Sequence, residues 1–309
     1  MTVIAVVGPT AVGKSAAAIS LAQLLGGPDF AEIIGADAMQ LYRGMDIGTA
    51  KVTESERQGI VHHQLDVLDI DEVASVAAYQ LNGRADLEGI LSRGRTPILV
   101  GGSGLYVSAV LDKIDFPGTD PQVRSRLEAE AAQIGSQAMH EKLARIDPAS
   151  AEVIDARNER RVIRALEVNE VTGRSFQPVF PRHTSMYEPT IVVGLEMDGD
   201  ELDSRIEQRT QAMFDSGLLD ETRRLREQGL DHAPTARMAT GYREALAVLD
   251  GEMTLDEAAE AITGATRKLV KKQLTWFRRD PRIRWIQAGD GVEERLAEII
   301  GEALELGEQ

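Results

Sequence analysis

At 309 residues and 43% hydrophobic content, the chain can bury one large α/β core with an elaboration, or two modest domains. The absence of cysteine excludes disulfides and cysteine-ligated zinc and agrees with the reducing cytoplasm where the protein is expected to reside. A net charge of −16 at first argues against a nucleic-acid partner. The N-terminus lacks a basic region and no apolar run approaches the roughly 20 residues that span a bilayer, so neither a signal peptide nor a membrane partner is expected.

In chain order, the first element is the apolar run Val3-Ile4-Ala5-Val6-Val7, which predicts a short buried strand. Gly8-Pro9-Thr10-Ala11-Val12-Gly13-Lys14-Ser15 comes next and matches G-x-x-x-x-G-K-[ST]. An Ala/Leu-rich helix is expected from Ser15 to Leu25, stopped by Gly26-Gly27. Strand, glycine loop and helix in that order are the context in which this pattern cradles phosphate. The loop turns successive N–H groups inward, and the helix N-terminus adds partial positive charge. Lys14 would reach the terminal phosphate and the Ser15 hydroxyl would hold a magnesium ion. A second strand is expected over Glu32–Gly35, a helix from Ser75 to about Ser92, and a third strand over Pro97–Val100. This alternation predicts an α/β fold: a P-loop-type parallel sheet core with helices on both faces and ligands at the strand C-termini.

From about Asp115 the pattern becomes helix after helix. Asp120-Pro121 and Asp147-Pro148 each read as an N-cap followed by proline at the first helical position. A third helix runs from about Arg157 to Val171 and ends at Gly173, and the stretch Pro178–Pro189 is irregular. Strand character resumes over Thr190–Met197, with helices from about Asp200 to Gln228. Thr254-Leu255-Asp256-Glu257 is a capping-box start for a long helix reaching about Arg279, and Arg282–Gln287 reads as a last strand. The expected organisation is a discontinuous core, residues 1–114 and 187–309, interrupted by a helical insertion domain over 115–186.

Asp37 lies just after the second strand and should face the phosphate site. A carboxylate there has two roles open to it: holding magnesium-bound water, as in a small-molecule kinase, or acting as general base toward an acceptor. The third strand, Ile98-Leu99-Val100, runs into Gly101-Gly102-Ser103-Gly104 without the carboxylate that helps hold magnesium in many P-loop ATPases. Such a bend lets another backbone or a substrate approach closely. Arg157, Arg160, Arg161 and Arg164 fall within an arc of about 100° on their helix, opposite Val162, Ile163 and Leu166. On the helix ending near Arg279, Arg267, Lys268, Lys271, Lys272, Arg278 and Arg279 share one broad side, with Leu269, Val270, Trp276 and Phe277 on the other. Between Arg267 and Arg284 there are eight Lys/Arg against one Asp, so the acidic total does not exclude a local polyanion surface.

These motifs together resemble the bacterial tRNA dimethylallyltransferases. The resemblance covers nearly the whole chain: the Gly8-to-Ser15 loop, the run from Ala36 to Lys51 with its Asp46-Ile47-Gly48-Thr49-Ala50-Lys51 block, His62-His63 with Asp66, and Val100 to Tyr106. It continues through Arg160 to Val168, Gly241-Tyr242-Arg243-Glu244 and Lys272 to Arg279. The resemblance implies transfer of a dimethylallyl group from dimethylallyl diphosphate to N6 of the adenosine 3′ to a tRNA anticodon, with Mg2+ as cofactor and the protein acting as a monomer. It implies that Gly8, Pro9, Thr10, Ala11, Val12, Gly13, Lys14 and Ser15 grip the diphosphate, with Ser15 on the metal. Asp37 is implied as general base, supported by Lys14 and Thr10. Asp37, Ala38, Met39, Gln40, Ser103, Arg124, Arg160, Arg161 and Arg164 are implied to face the tRNA, with Arg267, Lys271 and Arg278 adding phosphate contacts.

The chain departs from the family pattern in places. Ala38 stands where serine is commoner, and Ser103 where threonine is. The family's glycine-x-proline-x-serine turn is shortened to the run from Gly173 to Gln177. An arginine that contacts diphosphate in many members is replaced by Met238, which leaves Arg237 or Arg243 as the expected substitute. The alternatives are a P-loop small-molecule kinase, an enzyme prenylating free adenine nucleotides, and a non-catalytic RNA-binding protein on the same scaffold. The missing carboxylate after the third strand counts against the first, the arginine-lined insertion against the second, and the intact Lys14, Ser15 and Asp37 against the third.

Overall fold

The order in which the strands pair decides where a ligand can sit. The computed structural model describes residues 2–114, 116–176 and 183–307. Its first half runs β1 (Val3–Val7), α1 (Lys14–Leu24), β2 (Ala31–Gly35), β3 (His62–His63), α2 (Val76–Ser92), β4 (Thr96–Gly101) and α3 (Gly104–Leu111). Three helices come next: α4 (Pro121–Ile146), α5 (Pro148–Val153) and α6 (Glu159–Thr172). The chain then continues with β5 (Thr190–Glu196), α7 (Gly199–Asp215), α8 (Leu218–Glu227), α9 (Tyr242–Leu249), α10 (Leu255–Phe277), β6 (Ile283–Gln287) and α11 (Val292–Gly307).

All six strands are parallel, in the order β3-β2-β4-β1-β5-β6. β1 is central, with Ile4 opposite Ile98 on one side and Ile191 on the other. It is buried along its whole length, which is why it reads as an unbroken apolar run rather than an alternation. α1 packs on β1, β2 and β4, α11 on β5 and β6, and α2 and α3 on the sheet through β2 and β4. The crevice at the carboxyl ends therefore opens beside β1, where the glycine loop leaves the sheet.

The local start signals act as chemistry dictates. Asp120 accepts from the N–H groups of Gln122 and Val123, and Asp147 from that of Ser150, each with proline next in the chain. Thr254 and Glu257 form a reciprocal capping box at the start of α10. Two features differ from expectation. β3 is too short for any periodicity to announce it, and it exists only through pairing with Ile33 and Ile34 of β2. α4 is broken internally at Gly135, whose backbone is not helical (φ +82°). Within the irregular stretch Pro178–Pro189, residues 178–182 lie outside the described residues, as does Gln177 of the shortened turn.

The chain divides into two compact units, Met1–Asp112 with His183–Gln309, and Lys113–Arg182. The cuts fall earlier than the expected 114 and 187: residues 113 and 114 group with the helical unit, whereas the returning segment from His183 is stitched into the sheet unit. Met186 N–H donates to Leu111 O (2.6 Å), Asp112 bridges to Ser185, and Arg282 reaches both the Asp112 carboxylate (2.7 Å) and Ser185 Oγ (3.0 Å). The second unit has its own core, including Leu127, Met139, Leu143, Val162 and Leu166. Among the described residues no helix is long and apolar enough to cross a membrane.

One buried charge at the sheet edge gives a test of this architecture. Glu32 on β2 is 1% exposed and accepts from Arg93 (2.8 Å), Arg95 (2.8 Å) and His63 (2.6 Å). Burial alone would raise its pKa, but the hydrogen bonds from Arg93, His63 and Arg95 override that and hold it at about 2. A depressed carboxyl stabilises the fold above its ordinary value of 4.5 and loses that contribution as pH falls toward about 2. Glu32→Gln is expected to lower stability by roughly 1–3 kcal/mol near neutral pH. The gap from wild type should narrow on acidification. Thermal unfolding of both proteins from about pH 7 down to about pH 3 checks this, and a constant gap would contradict it.

Candidate active site

The loop after β1 holds its lysine folded back: Lys14 Nζ donates to Pro9 O at 2.6 Å. Two elements from the far end of the chain brace the loop. Gln273, buried on α10, accepts the Thr10 N–H at 2.9 Å, and Arg209 on α7 donates to Thr10 Oγ1 at 3.0 Å. Gln273 reaches the loop because Gly102 has no side chain; a Cβ there would lie 2.4 Å from Gln273 Nε2. The close approach anticipated for the Gly101–Gly104 bend is therefore made by a helix of the protein itself.

A cavity of about 230 Å³ lies against this loop, lined by Thr10, Gly13, Lys14, Ser15, Asp37 and Arg209 among others. Burial pulls the Lys14 ammonium down to about 8 against the opposing attraction of Asp37, with Arg209 adding repulsion. Burial likewise lowers Arg209, and Asp37 again opposes it. The Asp37 carboxylate is oriented by Met39, whose N–H donates to Oδ1 at 2.9 Å. A second cavity of about 110 Å³ adjoins the first and shares Thr10, Asp37, Thr49 and Arg209 with it. Its remaining walls combine the apolar Met39, Ile206, Met213, Ala239, Ile262 and Leu269 with Gly48 and the small hydroxyl side chains of Thr210, Thr240 and Thr266.

The other expected site residues divide between cavity wall, loop and surface. Ala11 lines the first cavity, whereas Gly8, Pro9 and Val12 complete the loop. Gln40 also lines the first cavity and donates to Thr49 O (3.0 Å); Ala38 sits beside it in the same turn. Ser103 is the N-cap position of α3 and makes no side-chain cap. Arg237 and Arg243 are absent from the lining of both cavities. Arg237 donates to Asp231 O (3.3 Å) from an exposed turn, and Arg243 pairs with its neighbour Glu244 (3.0 Å). Ala236 and Tyr242 take the buried positions beside them and turn both arginines outward. The arginine that lines both cavities is Arg209, which no motif in the sequence marks. It sits among Ile206, Thr210 and Met213 on the buried side of α7, a charge within an apolar stripe on the helix that succeeds a sheet strand.

In the helical unit, Arg124 (2.5 Å) and Arg164 (2.7 Å) both pair with the fully buried Glu167, and Arg164 also donates to Gly118 O (3.2 Å). Arg160 and Arg161 are exposed. On α10, Arg267 is paired with Asp203 (3.2 Å) and Glu207 (2.7 Å), while Lys271 and Arg278 are exposed. Leu269, expected on the apolar side, is 41% exposed and faces the second cavity instead.

No group of three or more His, Asp or Glu among the described residues could hold a metal by itself. Ser15 and Asp37 nevertheless offer oxygens to the same cavity. That sparse set fits magnesium, which takes one or two protein oxygens and completes its shell from phosphate and water.

Fold and site define a P-loop-type α/β protein whose cavity is furnished for a phosphorylated small molecule next to an apolar group. A family model described as IPP transferase matches residues 40–280. The chain is 52% identical to the tRNA dimethylallyltransferase of Nocardia farcinica, covering 97% of this chain and 95% of that one. It is 53% identical to that of Thermobifida fusca, covering 96% and 93%. Among solved structures, the full-length tRNA isopentenylpyrophosphate transferase of Bacillus halodurans is 38% identical with a TM-score of 0.69, covering 100% of this chain and 99% of that one. A eukaryotic dimethylallyltransferase acting on tRNA is 26% identical with a TM-score of 0.78, covering 94% and 74%. The chain belongs to the IPP transferase family.

The charge balance predicts how the first cavity binds inorganic diphosphate. A bound anion favours the charged lysine, so affinity should fall as pH rises through about 8. Lys14→Arg should flatten that dependence. Arg209→Ala should weaken diphosphate binding by roughly tenfold to a hundredfold, whereas Arg237→Ala and Arg243→Ala should not. Calorimetric titration of the variants checks both statements.

Proposed function

We propose that the protein transfers the dimethylallyl group of dimethylallyl diphosphate to the exocyclic N6 of the adenosine 3′ to a tRNA anticodon, releasing diphosphate. The observation that carries this is the pairing of a cationic cavity with an apolar one across shared residues Thr10, Asp37, Thr49 and Arg209. A cavity of about 150 Å³ lined by aliphatic side chains takes a six-carbon ring, so about 110 Å³ suits a five-carbon branched group. The donor's charged head and apolar tail are thus accommodated on either side of the bond to be broken.

An adenine amine is a weak nucleophile because its lone pair is delocalised into the ring, so the allylic carbon must develop positive charge as the C–O bond lengthens. The departing diphosphate keeps that bond's electron pair. The loop N–H groups, Lys14 and Arg209 hold the growing negative charge, and their partial burial strengthens the interaction relative to open water. Thr10, braced by Gln273 and Arg209, keeps the loop in register with the leaving group. The N6 lone pair forms the new C–N bond and the N6 proton passes to the Asp37 carboxylate, whose orientation Met39 N–H fixes. Magnesium on Ser15, when bound, supplies further charge neutralisation at the diphosphate. No step needs hydrolysis of a nucleoside triphosphate.

The acceptor base must leave the anticodon-loop stack, as single-stranded loop bases can. Met39 and Gln40 line the cavities on the same turn as Asp37, and supply one side of the base's pocket. Lys271 and Arg278 on α10 and Arg160 in the helical unit supply phosphate contacts. A tRNA substrate also implies a cytoplasmic setting.

Single-turnover transfer of labelled dimethylallyl from its diphosphate to an unmodified tRNA, with AMP and ATP in parallel, tests the assignment. Label is expected in tRNA alone; ATP consumption with unlabelled tRNA would overturn it. Asp37→Asn should lower transfer by roughly a hundredfold to ten-thousandfold with tRNA affinity nearly intact, and lost binding with retained transfer would remove Asp37 from the role. Lys271→Ala and Arg278→Ala should each weaken tRNA binding and reduce its salt dependence by about one phosphate contact.

A further inference from the structure

The segment Asp46–Lys51 enters the mechanism only through Thr49, yet it is held in an unusual way. Glu221, on α8 and 3% exposed, receives three consecutive backbone N–H groups: Asp46 (3.2 Å), Ile47 (3.0 and 3.1 Å) and Gly48 (3.4 Å). Tyr242, fully buried at the start of α9, donates its hydroxyl to Glu221 Oε1 (2.5 Å) and accepts a second bond from Gly48 N–H (3.2 Å). Successive N–H groups converging on one anion form a nest, here filled by the protein's own carboxylate. Gly48 lies directly on the Tyr242 ring: a Cβ at this position would fall 2.4 Å from Tyr242 Cε2.

From Gly48 onward the segment forms the wall common to both cavities. Thr49 lines the two of them and Gly48 the second. Thr49 Oγ1 donates to Met45 O (2.5 Å) and Gln40 Nε2 to Thr49 O (3.0 Å), so the loop is also fastened from the cavity side. Beneath it, Met45, Met213, Leu218, Leu225, Ala239 and Ile262 form one buried cluster with Tyr242. Met213, Ala239 and Ile262 are at the same time walls of the apolar cavity. The Glu221–Tyr242 pair thus holds the backbone of a segment whose Gly48 and Thr49 line the second cavity, although neither residue lines either cavity.

We propose that Glu221 and Tyr242 are positioning residues that pin the Gly48–Thr49 wall, and so set the depth of the apolar cavity and the selectivity for a five-carbon over a ten-carbon allylic diphosphate. The selectivity part rests on the reading of that cavity as the site of the donor's tail. Releasing the loop lets the wall recede and removes the penalty on a longer tail. Diphosphate binding, which depends on Lys14, Arg209 and the loop after β1, stays unchanged.

Two readouts on full-length wild type, Glu221→Gln and Tyr242→Phe separate the parts. Amide hydrogen exchange over residues 46–48 reports the latch without reference to activity. Single-turnover transfer from dimethylallyl and from geranyl diphosphate to tRNA reports selectivity. Faster exchange at 46–48, with the five- to ten-carbon preference falling roughly tenfold and inorganic diphosphate affinity at the wild-type value, is the expected result. Tyr242→Phe deletes one hydroxyl and remains informative if Glu221→Gln does not fold. Wild-type exchange in the variants would overturn the latch. Faster exchange with an unchanged preference would overturn its link to selectivity. Wild-type protein that moves neither group onto tRNA would overturn the functional reading and the selectivity claim together, while the exchange result still judges the latch.

Discussion

Two cations and one carboxylate, all half-buried, share one cavity, and the rest of the sheet unit serves to keep them there. Burial disfavours the charged forms of Lys14 and Arg209, and each repels the other; Asp37 alone offsets this. The site is therefore short of negative charge, and a diphosphate supplies what is missing. On the proposed reading the same deficit would favour departure of a diphosphate from carbon, since charge that develops on the leaving group would meet two partly buried cations. A site of this kind discriminates by charge development rather than by grip alone, because its cations gain most where the negative charge is largest.

Holding such a site requires polar side chains where the folding pattern would place apolar ones. Arg209, Gln273 and Glu221 each project from the buried side of a helix, beside Ile206, Val270 and Leu225 respectively. Each finds partners there. Arg209 meets Thr10 Oγ1, Gln273 the Thr10 N–H, and Glu221 three N–H groups and a phenol. An unpaired buried polar group costs about 1–3 kcal/mol, so these residues are tolerated only because the loops they meet are held in matching positions. The loops carry internal bonds of their own, such as Thr49 Oγ1 to Met45 O, and the helices fix them in place against the sheet unit. Loop and helix specify one another, which is how a flexible glycine-rich segment becomes a fixed wall.

This reciprocity also marks the boundary of what the sequence reveals. Val3–Val7, the caps at Asp120 and Asp147 and the box at Thr254 are legible because each depends on residues within a few positions. The Gly8–Ser15 loop is legible because its function is performed by its own backbone. β3 cannot be read, since two residues carry no period and it exists through its partner β2. Arg209 and Gln273 escape notice for a related reason: their roles depend on contacts 199 and 263 residues away in sequence. The signal available is local, a polar residue set into an apolar helical stripe, and it points inward. Arg237 and Arg243 draw attention by sitting near a recognisable motif, but the buried neighbours Ala236 and Tyr242 turn them to solvent.

The basic residues show the same distinction between composition and availability. Arg124, Arg164 and Arg267 look alike in sequence to Lys271 and Arg278, yet the first two converge on Glu167 and the third on Asp203 and Glu207. Glu167 is wholly buried, so its two arginines are structural before they are anything else; removing either leaves a desolvated carboxylate short of a partner. Attraction falls to the exposed Lys268, Lys271, Lys272, Arg278 and Arg279 of the last α10 turns and their exit, which form no ion pair among the described residues. In a chain of net charge −16 this exposed basic strip stands out against an acidic total, which is the local asymmetry a polyanion would respond to.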